Sequence, residues 1–453
     1  MAIGGSPTKR EILGYSYGQL GLTATEAFVR IHLLKFFVDQ VGLSPILTGL
    51  AVGLAIIWDG ITDPLMGELS DRLNATRKWR RRVFFVPGAL GSALCLILLF
   101  SPAFFDSQSA QFFYLLIFYI SMNSFLTVFG VPHAALGGAM SPDSLQRSKI
   151  FGWRLIFGNV GAVLGVALPA LFLSSQVENA YLWSAVAVGI LSLSAGLVSW
   201  RETYDRESLD RPVKINWNPV SLLRSVLYNH HFLIVLGAYL FAMFGIGING
   251  SLALFFYEYR LELSDAQTQS IIVLFMLCFS LSIPVWIRFA QQVPKKICLA
   301  VSIFSLGLSG ALIYLIVPPH SFWIPLLYAC FGGFLIGVVV LLDVLLVEIV
   351  DYDRLRKSQN RLGLYFGIWK MAEKLTRALA VVASGFLLTR IGFVSGAEVS
   401  EETSWGLAIL FGPVVNAFFI ASALLVLRLK FNEARQHRVE SLLARRMSKP
   451  PQA

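Results

Sequence analysis

Asp59 and Asp63 stand four residues apart in Ile56-Ile57-Trp58-Asp59-Gly60-Ile61-Thr62-Asp63-Pro64, inside a long apolar run. In a helix that spacing places both carboxylates on one face, about 6 Å apart along the axis. A carboxylate at membrane depth is costly unless it is paired or touches a cavity, so such a residue marks a functional site. Two of them side by side repel each other. A metal cation, a proton or a basic side chain must lie between or beside them. Thr62 shares their turn. Thr127, in another apolar run, precedes Gly130-Val131-Pro132, where the proline is expected to loosen the helix and free backbone carbonyls. Two carboxylates with one or two hydroxyls form an oxygen-rich set suited to Na⁺, and the same pair could take up a proton.

Basic residues sit at comparable depth. In Trp369-Lys370-Met371-Ala372-Glu373-Lys374-Leu375-Thr376-Arg377, the bases Lys370, Lys374 and Arg377 share one helical face. Such a stripe needs acidic partners, and Lys370 and Arg377 are also expected to contact the substrate. Asp59 and Asp63 are the expected partners for Lys374, and Glu373 could serve a neighbour. The competing reading is an ion-pair network that only joins two parts of the bundle. Glu26 and Arg30 can neutralise each other at i, i+4 or contact a solute. Arg154 can contact a solute or cap a helix. His133 and Asn249 are weaker substrate candidates, since interhelical hydrogen bonds satisfy such side chains more often. Asp343 and Glu348 read as gate or packing charges.

The elements that must carry these groups are membrane helices. The 453 residues are 56% hydrophobic, the mean hydropathy is +0.67, and apolar runs of about 20 residues recur along the chain. The expected spans are 12–38, 45–70, 82–103, 110–138, 150–174, 180–200, 231–257, 266–290, 296–317, 322–349, 362–391 and 404–429. Met1 to Arg10 is short and polar and reads as leading into the first span without a signal peptide. Cys95, Cys278, Cys298 and Cys330 all fall in apolar runs, which points to helix packing rather than to metal or disulfide chemistry.

The net charge of +10 reports membrane orientation, not nucleic-acid binding, because the bases are confined to alternate loops. The segment from Asp71 to Arg82 holds Arg72, Arg77, Lys78, Arg80, Arg81 and Arg82. The segment from Asp351 to Arg361 holds Arg354, Arg356, Lys357 and Arg361, and Lys295 and Lys296 precede the ninth span. The opposite loops are acidic apart from Arg260. Both termini are therefore expected in the cytoplasm. The polar stretch from Arg201 to His230 divides the chain into an N-terminal six-helix bundle (1–200), a cytoplasmic linker (201–230), a C-terminal six-helix bundle (231–430) and a basic tail (431–453). The expected fold is thus all-α, with twelve membrane helices in the 6+6 plan of the major facilitator fold, where solutes bind between the halves. The sequence shows no strong repeat between those halves. The tail, from Arg428 to Arg446, could form an amphipathic helix on anionic lipid, against the plainer reading of a solvated basic tail.

The run from Trp58 to Gly67, followed by Ser70-Asp71-Arg72 and the basic loop, resembles the glycoside–pentoside–hexuronide:cation symporters of the melibiose permease-like type. Phe37 to Ser44, Val131 to Leu136, Glu348 to Tyr352, and Tyr365-Phe366-Gly367 leading to Lys374 are similar to further segments of that family, in the same order. The resemblance implies cation-coupled symport. It places Asp59 and Asp63 on the cation site, Thr62 and Thr127 on accessory positions, Lys374 beside the site and Arg154 near the sugar. Acids that hold the sugar in melibiose-type members fall on Thr23 and Gly130 here, and an aromatic platform falls on Ala134. The cation site is thus expected to be kept and the galactoside site lost, with Glu26, one turn from Thr23, available as a substitute acid.

The expected function is secondary active transport of a sugar or glycoside with Na⁺ or H⁺, with a lysolipid or other amphipath as the alternative solute. A non-transporting membrane sensor is the reading from another class, but the chain holds no long soluble segment to signal with. Enzyme motifs such as His-Glu-x-x-His, Gly-x-Ser-x-Gly or a phosphate-binding loop are missing from the sequence. No cofactor is implied, and the expected partners are the solute, the coupling cation and membrane lipid around a monomer in the plasma (inner) membrane.

Overall fold

The computed structural model describes residues 7–75, 81–101, 107–141, 144–175, 177–203, 228–357, 362–394 and 399–429. Most of the expected linker, the basic tail and parts of the two basic loops lie outside them. Helix α1 (Lys9–Lys35) starts at Thr8, whose hydroxyl accepts from the Glu11 N–H while the Glu11 carboxylate accepts from the Thr8 N–H. This reciprocal pair satisfies donors that a helix start leaves open. Five more helices follow: α2 (Pro45–Ala75), α3 (Phe85–Leu99), α4 (Gln108–Ala139), α5 (Ser144–Leu173) and α6 (Ala180–Glu202). Beyond the linker come α7 (His230–Phe255), α8 (Asp265–Phe289) and α9 (Lys295–Ile316). The chain ends in α10 (Trp323–Ile336, then Val340–Lys357 after a 3-10 turn), α11 (Leu362–Arg390) and α12 (Glu401–Ile409, then Val415–Leu427 after a π turn). Every regular element among the described residues is helical.

Ten of these helices are long and apolar enough to cross a membrane. Helices α1 and α11 are not among the ten, because polar and charged side chains interrupt their apolar runs. Among those interruptions, Glu26, Arg30, Lys370, Glu373, Lys374 and Arg377 line the cavity between the two halves. Helices α2 and α10 run on past their expected ends at 70 and 349, to Ala75 and Lys357. Hydropathy marks where the chain leaves the apolar layer, not where its backbone hydrogen bonds stop. Leu50, Leu54, Ile57, Ile61 and Leu65 form an exposed apolar stripe along α2, as a lipid-facing surface requires.

The packing divides the helices into two bodies. One hydrophobic core is built almost wholly from α1 to α6 and another from α7 to α12. Within the first, α1 packs against α5 and α6, and Gly161 and Gly165 of α5 make the approach possible: a Cβ at either would stand 2.3 Å from the carbonyl oxygen of Leu20 or Ala24. Among the described residues the bodies meet chiefly through α1 with α7, α2 with α11 and α5 with α8.

The ends of α1 and α7 are built alike. Each passes into a π turn, Phe36–Gln40 and Phe256–Arg260. Val41 N–H then donates to Phe36 and Leu43 N–H to Phe37, while Leu261 donates to Phe256 and Leu263 to Tyr257. A left-handed residue occupies the same register in both, Gly42 at φ +80° and Glu262 at φ +52°, and Ser44 and Ser264 precede the next helix. This correspondence between the halves lies in backbone geometry, with few identical residues to reveal it. The two corners touch. Lys35 Nζ is 2.7 Å from Asp39 and 2.5 Å from Glu258, and the Tyr259 hydroxyl donates to Asp39 at 2.8 Å.

Candidate functional site

A cavity of about 500 Å³ opens between the two bodies, walled by α1, α2, α4, α5, α7 and α11. Its most organised feature joins three of them. Lys374 Nζ on α11 lies 2.9 Å from Asp59 Oδ2 and also pairs with Asp63 on α2. From α4, Thr127 Oγ1 lies 2.8 Å from Asp59 Oδ1 and 2.8 Å from Asp63 Oδ1. The i, i+4 spacing on α2 turns both carboxylates to the same side, as helical geometry requires. The ammonium of Lys374 stands where their charges converge.

Packing behind α11 fixes which of its faces the cavity sees. Trp369 is fully buried, stacked on Tyr239 of α7 at 3.9 Å between ring centroids. Its Nε1–H donates to Asp343 of α10 at 2.8 Å. With Trp369 held from two sides, Lys370, Glu373, Lys374 and Arg377 all line the cavity. Asp343 is thus a packing partner. Glu348 is paired with Lys295 at 2.8 Å. Lys370 and Glu373 pair with each other at 2.7 Å.

The remaining candidates separate into wall and interior. Glu26, Arg30, Gly130 and Arg154 are on the wall, as is Ala134. Arg154 Nε donates to Gln19 Oε1 at 2.7 Å, and Gln19 Nε2 donates to Thr23 Oγ1 at 3.0 Å, so Thr23 stands one bond behind the wall. Thr62 Oγ1 donates to the Asp59 backbone carbonyl at 3.2 Å and lies off the wall. His133 is buried, stacked on Tyr15 at 4.4 Å with Nε2 2.8 Å from the Tyr15 carbonyl oxygen, which ties α4 to α1. Asn249 lies off the wall while Ser251 of the same helix lies on it. Pro132 sits inside α4 without ending it.

Sequence reasoning missed Tyr119 and Asn123, which line the cavity above Thr127. Their signal was available: positions 119, 123 and 127 fall on one face at i, i+4 and i+8. Gln19 and Trp369 could not be found that way, because only packing shows what they orient.

Two carboxylates and a hydroxyl, already holding an ammonium group, are hard oxygen donors suited to a monovalent cation or a proton. Among the described residues no cluster of three or more His, Cys, Asp or Glu side chains could hold a metal ion, so the donor set does not resemble a transition-metal site.

The chain is similar to known transport proteins in sequence and in fold. The family described as MFS/sugar transport protein matches residues 14–433. The chain is 28% identical to the uncharacterized symporter YnaJ of Bacillus subtilis, over 92% of this chain and 90% of that one. It is 24% identical to the putative glycoside/cation symporter YagG of Escherichia coli, covering 94% and 93%. It is also 24% identical to the sodium-dependent lysophosphatidylcholine symporter 1 of Gallus gallus, covering 91% and 85%. Its fold is similar to a bacterial homologue of the lysosomal transporter Spinster in an inward-facing conformation, with a TM-score of 0.67 at 14% identity over 95% and 100% of the chains.

Proposed function

The chain belongs to the MFS/sugar transport protein family, and from that premise we propose that it is a cation:solute symporter working by alternating access. It is an integral membrane protein of transporter type, not an enzyme. The single observation that carries the coupling is the cluster of Asp59, Asp63, Thr127 and Lys374 on the cavity wall. A coupling ion, Na⁺ or H⁺, would be held by Asp59, Asp63 and Thr127 in competition with the Lys374 ammonium. Because Lys374 belongs to the second half and the aspartates to the first, whatever displaces it changes the attraction between the halves. An ion and a solute that both favour the same arrangement raise each other's affinity.

Thr127 supports a proton as one possible occupant. Its hydroxyl carries one hydrogen yet stands 2.8 Å from two carboxylate oxygens. Both contacts are hydrogen bonds when one carboxyl is protonated and donates back to Oγ1.

With the topology set by the loop charges, both termini are cytoplasmic and the sealed corner at Lys35, Asp39, Glu258 and Tyr259 faces outside. The arrangement then opens inward, with a six-helix bundle on each side of the 201–230 linker. The solute in this reading is a sugar or glycoside taken up across the plasma membrane by a monomer. An apolar strip from Leu22, Val29, Leu33, Val52 and Ile56 on the cavity wall favours an amphipathic solute as the second reading.

The test needs no solute. Purified protein is titrated with NaCl by calorimetry at constant ionic strength, with choline chloride as balance, beside Asp63→Asn. Saturable Na⁺ binding that the variant loses is the expected result. Binding that persists unchanged in Asp63→Asn would overturn the assignment. Proton release on Na⁺ binding, read in buffers of different ionisation enthalpy, separates an Asp that exchanges H⁺ for Na⁺ from one that does not.

A further inference from the structure

The cavity wall carries more positive charge than the cation site accounts for. Glu26, Asp59, Asp63 and Glu373 face it, against Arg30, Arg154, Lys370, Lys374 and Arg377. Lys374 pairs with both aspartates and Lys370 with Glu373. Arg154 is bonded to the neutral Gln19. Arg30, on α1, and Arg377, on α11, form no ion pair with a described residue, and neither does Glu26. Arg30 feels Arg377, Glu26, Glu373 and Tyr119, and Arg377 feels Tyr119, Glu26, Asp59 and Glu373. A cation bound at Asp59 and Asp63 deepens the imbalance, leaving two more positive than negative charges on this wall. Uncompensated charge at that depth is costly, and two arginines that line one cavity from opposite halves call for an anion between them.

We propose that the transported solute carries an acidic group, a carboxylate, sulfate or phosphate, held between Arg30 and Arg377. The inference rests on the symport reading for the word "transported"; the anion subsite itself stands on the wall. Guanidinium groups suit this role because their planar fork grips two oxygens of one acidic group, whereas an ammonium offers a point charge. One guanidinium comes from each half, so an anion between them replaces repulsion across the gap with a bridge. The rest of the solute, sugar or acyl chain, extends along the wall.

The same geometry links the two ligands. Arg377 follows Lys374 by three residues, about 4.5 Å along α11. A cation that takes the aspartates from Lys374 leaves that ammonium unpaired beside Arg377, which strengthens the pull on an anion. The anion in turn holds the displaced base, so each ligand improves the site of the other.

The test uses full-length protein in lipid nanodiscs and two matched probe pairs, methyl β-D-glucuronide against methyl β-D-glucoside and octyl phosphate against octanol. Binding is measured by calorimetry in choline and in Na⁺. The acidic member of one pair is expected to bind about tenfold or more tightly than its neutral partner. Which pair does so distinguishes an acidic sugar from an acidic amphipath. Arg30→Gln and Arg377→Gln should each abolish that preference. Glu26→Gln, which removes a competing carboxylate, should increase it and serves as the readout if an arginine variant does not fold. Equal binding of acidic and neutral partners, a preference that survives both arginine variants, or no saturable binding of either acidic probe would overturn the subsite. An acid preference in choline that neither Na⁺ nor a change of pH alters keeps the subsite and removes the symport reading instead.

Discussion

Lys374 Nζ on α11 stands 2.9 Å from Asp59 Oδ2 on α2, a contact between residues from opposite halves of the chain. Its partner set is completed by Asp63 on the same α2 face. An ammonium group thus fills the space between the two carboxylates, and in the symport reading proposed above the link across the halves depends on whether a lysine or an ion is held there.

Lys374→Ala removes the internal competitor and leaves two adjacent carboxylates. The cluster is only partly buried, but losing the ammonium leaves the two carboxylates to repel each other, so the melting temperature in Na⁺-free buffer should fall. Adding NaCl should restore it, and calorimetry should show Na⁺ bound about fivefold or more tightly than by the parent protein. Weaker Na⁺ binding would mean that Lys374 assists the ion rather than competing with it.

Thr127→Val keeps the shape of the side chain and removes the hydroxyl that reaches both aspartates. The loss is about 1 kcal/mol, which is about fivefold in cation affinity. Stability should change little. An unchanged affinity in the same titration would remove Thr127 from the ion site.

At the far corner, Lys35 compensates Asp39 and Glu258 from different halves. Lys35→Ala leaves two carboxylates facing across the seam, and the separated form should gain about tenfold in population. Spin labels at Gln40→Cys and Glu262→Cys, both exposed in the parent, would report it as a shift toward longer distances in a background free of native cysteines. A distance distribution like that of the parent would show that the remaining contacts between the halves hold the corner shut without Lys35.

Trp369→Phe retains a ring against Tyr239 and removes the hydrogen bond to the exposed Asp343 carboxylate. The expected cost is about 1–3 kcal/mol in thermal or denaturant unfolding. Because Trp369 sets the rotation of α11, Na⁺ affinity should also change, although Trp369 touches no part of the ion site. A stability loss without any change in Na⁺ binding would confine the residue to packing.

The sequence by itself determined the helices and half of the chemistry. Apolar runs mark most of the membrane segments because a lipid environment leaves the backbone no partners except its own. The spacing of Asp59 and Asp63 fixes a shared face in any helix, and the 370, 374, 377 stripe fixes another. Which faces meet is a property of packing. Thr62 and Thr127 look alike as hydroxyls near the site in sequence, yet Thr62 bonds to its own helix while Thr127 reaches across from α4. His133 and Asn249 were plausible wall residues by polarity, and only the packing against Tyr15 and the register of α7 place them off it. The matched corners after α1 and α7 were illegible because π turns and left-handed residues are backbone conformations that different side chains can share. The pairing of charges was equally out of reach. Lys374 lies 311 positions from Asp63, and no local rule distinguishes it, with acids in reach, from Arg30 and Arg377, which have none bound to them. Distance in space, set by how two cores lean on each other, placed one base against two carboxylates and left two others facing an open cavity.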